Sequence, residues 1–268
     1  MRSRISAEII ENTALTDDIY SMWLDAPDIA EVTEPGQFIA VYTKDCSKLL
    51  PRPISICETD KARGAVRIVY KLAGEGTKGF SKLPKGESLL INGPLGNGYD
   101  VEELIEKYER ILLVGGGVGI PPMLSLAKEL TFYSQKYNVN REIIAVIGFR
   151  DKNTFLTEEL SKYAGLVIAS DNGEVGHKGN VIDAIKAEEL AFDVACACGP
   201  KPMLKGLISY TRSLGIKTYV SLEERMACGI GACLACVCKT KDTDDHSKVK
   251  NARICKDGPV FDAEEIVL

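Results

Sequence analysis

Residues 109–130 read ERILLVGGGVGIPPMLSLAKEL. An apolar run, ILLV, stops at a glycine tract, and a helical pattern begins at two prolines. The run suits a buried strand. Pro121 and Pro122 suit the first turn of a helix, where an amide proton has no intrahelical partner. The stretch therefore predicts strand, glycine turn, helix. The same rhythm recurs downstream. REIIAVIGFRD, GLVIASDNG and FDVACACGP read as strands, and LTEELSKYA, VIDAIKAEEL and KPMLKGLISYTRSL as helices. Just upstream, VEELIEKYE is an acidic helical stretch. Strands alternating with helices predict a parallel sheet with crossover connections.

The glycine tract departs from the dinucleotide fingerprint G-x-G-x-x-G. Counted from Gly115 the last position is Ile120, and counted from Gly117 it is Pro122. No acidic residue closes the second strand at the spacing that holds a ribose. The backbone of Gly115, Gly116, Gly117 and Gly119 could still cradle a pyrophosphate. A packing turn without a ligand is the alternative. Cys198-Gly199-Pro200 falls at the carboxyl end of a later strand, the edge where α/β sheets bind ligands. There the alternative is a buried thiol.

Before residue 100 the pattern is different. SRISAEIIENTAL and DIYSMWLDA alternate apolar and polar residues, as half-buried strands do. PGQFIAVYT, RPISICETD, GAVRIVYKLAG and PKGESLLINGPLGNG are further strand-and-turn segments. Short strands with frequent turns predict a small antiparallel barrel. Two of its segments carry phosphate-compatible chemistry. Arg52 in Arg52-Pro53-Ile54-Ser55 can pair with a pyrophosphate, although a surface arginine on an exposed strand is the plainer reading. Gly74, Gly76 and Thr77 form a flexible turn before a short helical stretch whose start could hold a phosphate. Together they suggest a dinucleotide such as FAD.

The last segment carries the cysteines. EERMACGIGACLACVCKTKD, residues 223–242, is followed by RICKDGP, residues 253–259. The spacing Cys228-x4-Cys233-x2-Cys236, with Cys255 apart, fits a plant-type [2Fe–2S] cluster. Three thiolates come from one tight loop, which Gly229 and Gly231 allow to curl so that amides face the sulfurs. A zinc site usually takes two Cys-x2-Cys pairs, and Cys255 has no such mate. Cys238 is spare and reads as a buried thiol in a strand.

Composition narrows the classes. The chain has 268 residues, 45% of them hydrophobic, and a net charge of −5 with no basic block. Nucleic-acid binding through a basic face is not expected. No apolar run approaches the roughly 20 residues that cross a bilayer. The N-terminus has no secretory apolar core, so the nine cysteines imply reduced thiols and a cytoplasmic protein. His177 and His246 lie in polar loops and are poor catalytic candidates.

Taken in order, these stretches resemble the ferredoxin–NADP reductase superfamily. The tail narrows the resemblance to the electron-transfer subunits of NAD-dependent, type B dihydroorotate dehydrogenase, over essentially the whole chain. The resemblance implies a β + α/β architecture. An FAD-binding barrel would occupy residues 1–99, an NAD-binding α/β domain 100–218 and a [2Fe–2S] module 219–268. It implies FAD contacts at Arg52, Pro53, Ile54 and Ser55, then Val69, Tyr70 and Lys71, then Gly76 and Thr77. Gly115, Gly116, Gly117, Gly119, Gly199 and Pro200 would lie along NAD, with Cys198 near the nicotinamide. Cys228, Cys233, Cys236 and Cys255 would hold the cluster. The charged insert KTKDTDDHSKVKN makes the last spacer long and predicts a surface excursion there.

The resemblance also implies a role. Electrons would pass from an FMN-containing dihydroorotate dehydrogenase catalytic subunit through the cluster and FAD to NAD+, in pyrimidine biosynthesis. A heterotetramer with two of each subunit is implied, without nucleic acid or membrane. This chain would carry no acid–base catalyst of its own for dihydroorotate. A related reading is a small subunit of a ferredoxin:NADP oxidoreductase or a hydrogenase. A flavin-loaded redox sensor and a zinc-binding structural module are readings from other classes. Arg150 and Lys152 leave a 2′-phosphate conceivable, while Asp151 leans towards NAD.

Overall fold

A computed structural model describes residues 3–45, 47–243 and 248–268; His246 lies outside the described residues. The first half contains β1 (Ser3–Ala14), β2 (Ile19–Asp25), α1 (Pro27–Val32), β3 (Phe38–Val41), β4 (Arg52–Asp60), β5 (Ala65–Lys71), α2 (Glu75–Phe80) and β6 (Ser88–Leu95). The six strands close into an antiparallel barrel in the order β1-β2-β5-β4-β3-β6. Closure follows from the alternation seen in the sequence. Ile9, Met22, Leu24, Ile39, Ile56, Ile68 and Ile91 point inward and fill one core. On β5, Val66, Ile68 and Tyr70 face that core, while Val69 turns to the opposite side.

The second half contains α3 (Val101–Lys107), β7 (Arg110–Gly116), α4 (Ile120–Lys136), β8 (Glu142–Phe149), α5 (Thr157–Leu160), β9 (Gly165–Ser170), β10 (His177–Lys178), α6 (Val181–Ala187), β11 (Val194–Cys198), α7 (Lys201–Ser213) and β12 (Lys217–Ser221). After these come β13 (Val237–Thr240), β14 (Asn251–Arg253), β15 (Val260–Asp262) and β16 (Ile266–Val267). The large sheet has the order β10-β9-β8-β7-β11-β12-β15. All its pairings are parallel except β12 with β15. Alternate residues of each central strand bury on opposite faces. Ile111, Leu113, Ala145 and Ile147 meet α4, whereas Leu112, Val114 and Val146 join Ala184, Ile185, Leu204 and Leu207 of α6 and α7.

Two features position the sites. The outer wall of the barrel packs against α4, through Cys57 and Val69 on one side and Ile120, Met123 and Leu124 on the other. The cysteine-rich tail is tied back into the sheet, because its β15 pairs with β12, a strand spanning residues on both sides of position 218. β13, β14 and β16 form a small sheet of their own, and β13 with β14 flank the charged insert.

Candidate functional site

The tail loop runs from Ala227 to Ala235 between β12 and β13. Gly229 has φ +67 and Gly231 φ +85, the left-handed region that side chains resist. These turns aim amides at sulfur. Ile230 N and Ala232 N donate to Cys228 Sγ at 3.5 and 3.3 Å, and Gly231 N donates to Cys255 Sγ at 3.1 Å. Cys255 N donates to Cys236 Sγ at 3.4 Å. Cys233 neighbours Cys228, and Cys236 neighbours Cys255. Arg253 braces the arrangement with a two-armed pair to Asp257, both contacts 3.0 Å, and a 3.3 Å bond to Gly231 O.

The electrostatics differ between the sulfurs. Burial opposes ionisation of Cys228, but amides of the loop and the Cys233 thiol outweigh it and bring the group down to about 6. Burial, with Cys236 as neighbour, pushes Cys255 up to about 12. Amides pointing at thiolate sulfurs are the donor set an iron–sulfur cluster takes, so the residues fit that group. Among the described residues no three His, Cys, Asp or Glu side chains form a single-ion cage. Cys238 stands on β13 opposite Ala252, outside the loop, and only partly buried.

On the barrel, Arg52 opens β4 opposite Val41 of β3. Its Nη1 donates to Leu50 O at 2.5 Å. A methyl group on Gly76 would overlap its guanidinium, so Gly76 is brought against Arg52. Gly76 and Thr77 stand in the first turn of α2 and not in a turn before it: Gly74 caps the helix, and the Thr77 hydroxyl accepts from Ala73 N at 3.0 Å and Gly74 N at 3.3 Å. A cleft of about 520 Å³ beside it is lined by Thr43, Lys44, Lys48, Gly76, Lys78 and Lys82 among others. Pro53 and Ser55 are half-buried on β4, and Ile54 points into the barrel.

Tyr70 also faces the barrel core. Its hydroxyl donates to Asn12 Oδ1 at 3.0 Å, and its ring meets Phe80 edge-on. Asn12 in turn donates to Phe80 O and Leu83 O, both at 2.9 Å, and so anchors the far end of α2. Lys71 is exposed and pairs with Asp18 at 3.1 Å. Asn12 was not legible as a site residue: its two carbonyl partners lie 68 and 71 positions away.

The Gly115–Gly119 and Cys198–Pro200 turns meet at the carboxyl ends of adjacent strands. Gly115 of β7 lies in register with Cys198 of β11. Gly117 to Gly119 form a short 3₁₀ turn, with φ +54 at Gly117. A methyl group on Gly119 would overlap the Cys198 carbonyl, and one on Gly116 would press on Met203 and Pro200. Gly199 lies against Gly116 N and Met203. Cys198 is fully buried; burial pushes its thiol far up, the charge of Glu223 adds to this, and the Ser221 hydroxyl opposes it. Ser221, at the end of β12, and Glu223, two residues beyond it, thus join this site without having been singled out in the sequence. The charged run after β8 is pinned by Asn153 N to Asp151 Oδ1 at 2.8 Å and Lys152 N to Glu174 Oε2 at 3.4 Å.

A closed antiparallel barrel packed on a parallel nucleotide sheet, with a cysteine loop appended, defines a reductase of the ferredoxin-reductase type. Solved structures agree. A chain of the NADH-dependent reduced ferredoxin–NADP oxidoreductase is 30% identical, with TM-score 0.84, covering 97% of this chain and 89% of that one. The flavohemoglobin of Malassezia yamatoensis, solved with FAD and heme, shares the fold at TM-score 0.66 and 21% identity, over 80% of this chain and 57% of that one. The family model "Iron-sulfur cluster binding domain of dihydroorotate dehydrogenase B" matches residues 223–267, and "Ferric reductase NAD binding domain" matches 108–161. The dihydroorotate dehydrogenase B (NAD(+)) electron transfer subunit of Bacillus velezensis is 42% identical over 96% of both chains. That of Fusobacterium nucleatum subsp. nucleatum is 41% identical over 96% of this chain and 95% of its own. The chain belongs to this family of electron transfer subunits, and is an oxidoreductase subunit that uses FAD, a [2Fe–2S] cluster and NAD.

Proposed function

We propose that this chain carries electrons from an FMN-containing dihydroorotate dehydrogenase catalytic subunit to NAD+, in an assembly with two copies of each chain. The observation that carries the reading is the cysteine loop, whose amides face the sulfurs of Cys228 and Cys255. Bound FAD supplies the exchange between single electrons and a hydride.

The chain's own residues supply placement. Arg52, Gly76 and Thr77 hold the flavin pyrophosphate, with Pro53, Ile54 and Ser55 of β4 and the backbone of Val69 to Lys71 along the rest. Gly115 to Gly119, Gly199 and Pro200 hold the nicotinamide nucleotide beside Cys198. Cys228, Cys233, Cys236 and Cys255 hold the cluster, and exposed Ile230 and Leu234 beside Cys233 face the catalytic subunit. The described cysteines are free thiols, which suits the cytoplasm. No helix among the described residues is long and apolar enough to cross a membrane.

The test is anaerobic co-expression with the same organism's FMN-containing catalytic subunit. NAD+ reduction by dihydroorotate that needs both chains is the expected result. Absence of that activity, in samples with confirmed FAD and iron, would move the partner elsewhere. A ferredoxin-linked assembly is then the second reading, and the 0.84 TM-score to the ferredoxin–NADP oxidoreductase chain favours it over others.

A further inference from the structure

The contact between barrel and sheet has an apolar half and an ionic half. The ionic half centres on Arg67, on the outer face of β5, where it is 7% exposed. Its Nε donates to Ser21 Oγ at 2.8 Å and its Nη1 to Glu58 Oε2 at 3.3 Å. Both terminal nitrogens fork onto Glu159 at 2.5 and 3.1 Å. Lys128 of α4 pairs with the other oxygen of Glu58. Trp23 lies 5.8 Å from the guanidinium. A bulge between Ile56 and Glu58 sets Glu58 opposite Arg67 and leaves Cys57 to pack on α4. Ser21, Trp23, Glu58 and Arg67 belong to the barrel, whereas Lys128 and Glu159 come from the nucleotide-binding half.

Two cations and two carboxylates balance. A buried guanidinium is costly unless its donors are matched, and here they are. Sliding α4 and α5 along the barrel would strand charge, so the network favours one relative placement. Val69 lies two residues farther along β5, about 7 Å at the usual strand rise. It packs in the same apolar cluster as Ile120, which directly follows the Gly117–Gly119 turn. The clasp therefore stands next to the junction between the flavin-side wall and the nicotinamide-side turn.

We propose that Arg67 and Glu159 are positioning residues for hydride exchange between NADH and the flavin. They fix the spacing between the barrel wall and the glycine turn without belonging to either binding site. This rests on the placement of FAD and NAD given above. Glu159 is the better probe, because it sits at the half-exposed edge of the network and its loss leaves the cores intact.

The experiment is stopped-flow reduction of the FAD- and iron-loaded full chain by NADH, comparing wild type, Glu159→Gln and Glu159→Asp. Glu159→Gln should lower the limiting rate on the order of tenfold, below the roughly hundredfold that a 1 Å misplacement can cost. The NADH concentration giving half the limiting rate should barely change, since the glycine turn is untouched. Glu159→Asp, which keeps the charge, should recover part of the rate. An unchanged limiting rate in Glu159→Gln would overturn the proposal. So would a loss shared equally with NADH affinity, or one that follows lost FAD content. A wild-type holoenzyme that NADH does not reduce would overturn the FAD and NAD placement itself, and the proposal with it.

Discussion

Gly117 and Gly119 show how differently two glycines of one turn can matter. Gly117 takes φ +54 with open space around it, so a side chain there meets strain but no neighbour. Gly119 has an ordinary φ of −81, yet its α-hydrogen faces the Cys198 carbonyl, where a methyl group cannot fit. Gly117→Ala should cost about 1 kcal/mol, the left-handed penalty for an L-residue. Gly119→Ala should cost about 3 kcal/mol, the upper part of the range for overpacking, because backbone must move. It should also weaken NADH binding by displacing Gly199. Urea unfolding and NADH titration of both variants check this, and equal effects would contradict the assignment. At this scale the sequence was informative wherever chemistry announces itself by spacing. The four cysteines at 228, 233, 236 and 255 could be proposed as a ligand set because ligand spacing is a local property. The role of Tyr70 was less legible. Whether a strand residue faces a core or a ligand depends on register, and here its side chain turns inward to Asn12.

Between elements, pairing decides what local pattern cannot. The alternation of strand and helix after residue 100 yielded the parallel sheet because each unit carries its own periodicity. β12 and β15 were not foreseen: five and three residues are too few for a periodic signal, and their partners are distant in sequence. A smaller tie at the amino ends of β7 and β11 can be tested by pH. Asp193, just before β11, accepts from Arg110 N at 2.9 Å and Arg110 Nη2 at 2.7 Å at the start of β7. The guanidinium holds the carboxyl below its ordinary 3.8. Folding thus favours the ionised form. The added stability is present in full above pH 3.8 and is lost as pH falls through the lower folded value. Asp193→Asn should lower the urea midpoint slightly at pH 7, since a pair open to water contributes little. The difference from wild type should shrink towards zero near the bottom of the acid range. A difference that persists or grows in acid would show that the carboxylate charge is not what joins these strands.

In the whole molecule the cysteine tail belongs to the frame that holds both nucleotides. Cys236, Ile254, Cys255 and Phe261 share one apolar cluster with Phe38 and Leu95 of the barrel and Leu112 and Val114 of the sheet. Gly229 also approaches Leu95, where an added methyl would stand 3.4 Å from its Cδ1. The tail's inner cysteines, proposed as ligands, are therefore structural as well, and replacing Cys255 or Cys236 would confound folding with electron transfer. Cys233 is different: it is exposed, on the rim of the loop. Cys233→Ser should leave the fold, the barrel cleft and the glycine turn in place while removing one soft ligand that iron prefers. Dihydroorotate-driven NAD+ reduction, assayed with the catalytic subunit, should then fall by more than the roughly hundredfold that follows loss of a contact supporting a metal ligand. NADH-driven reduction of a dye, which needs the flavin and nicotinamide sites alone, should stay close to wild type. Visible absorption and iron content report the cluster in the same samples. Equal loss of both activities with FAD retained would mean that the tail governs the flavin–nicotinamide junction itself, through the apolar cluster it shares with barrel and sheet.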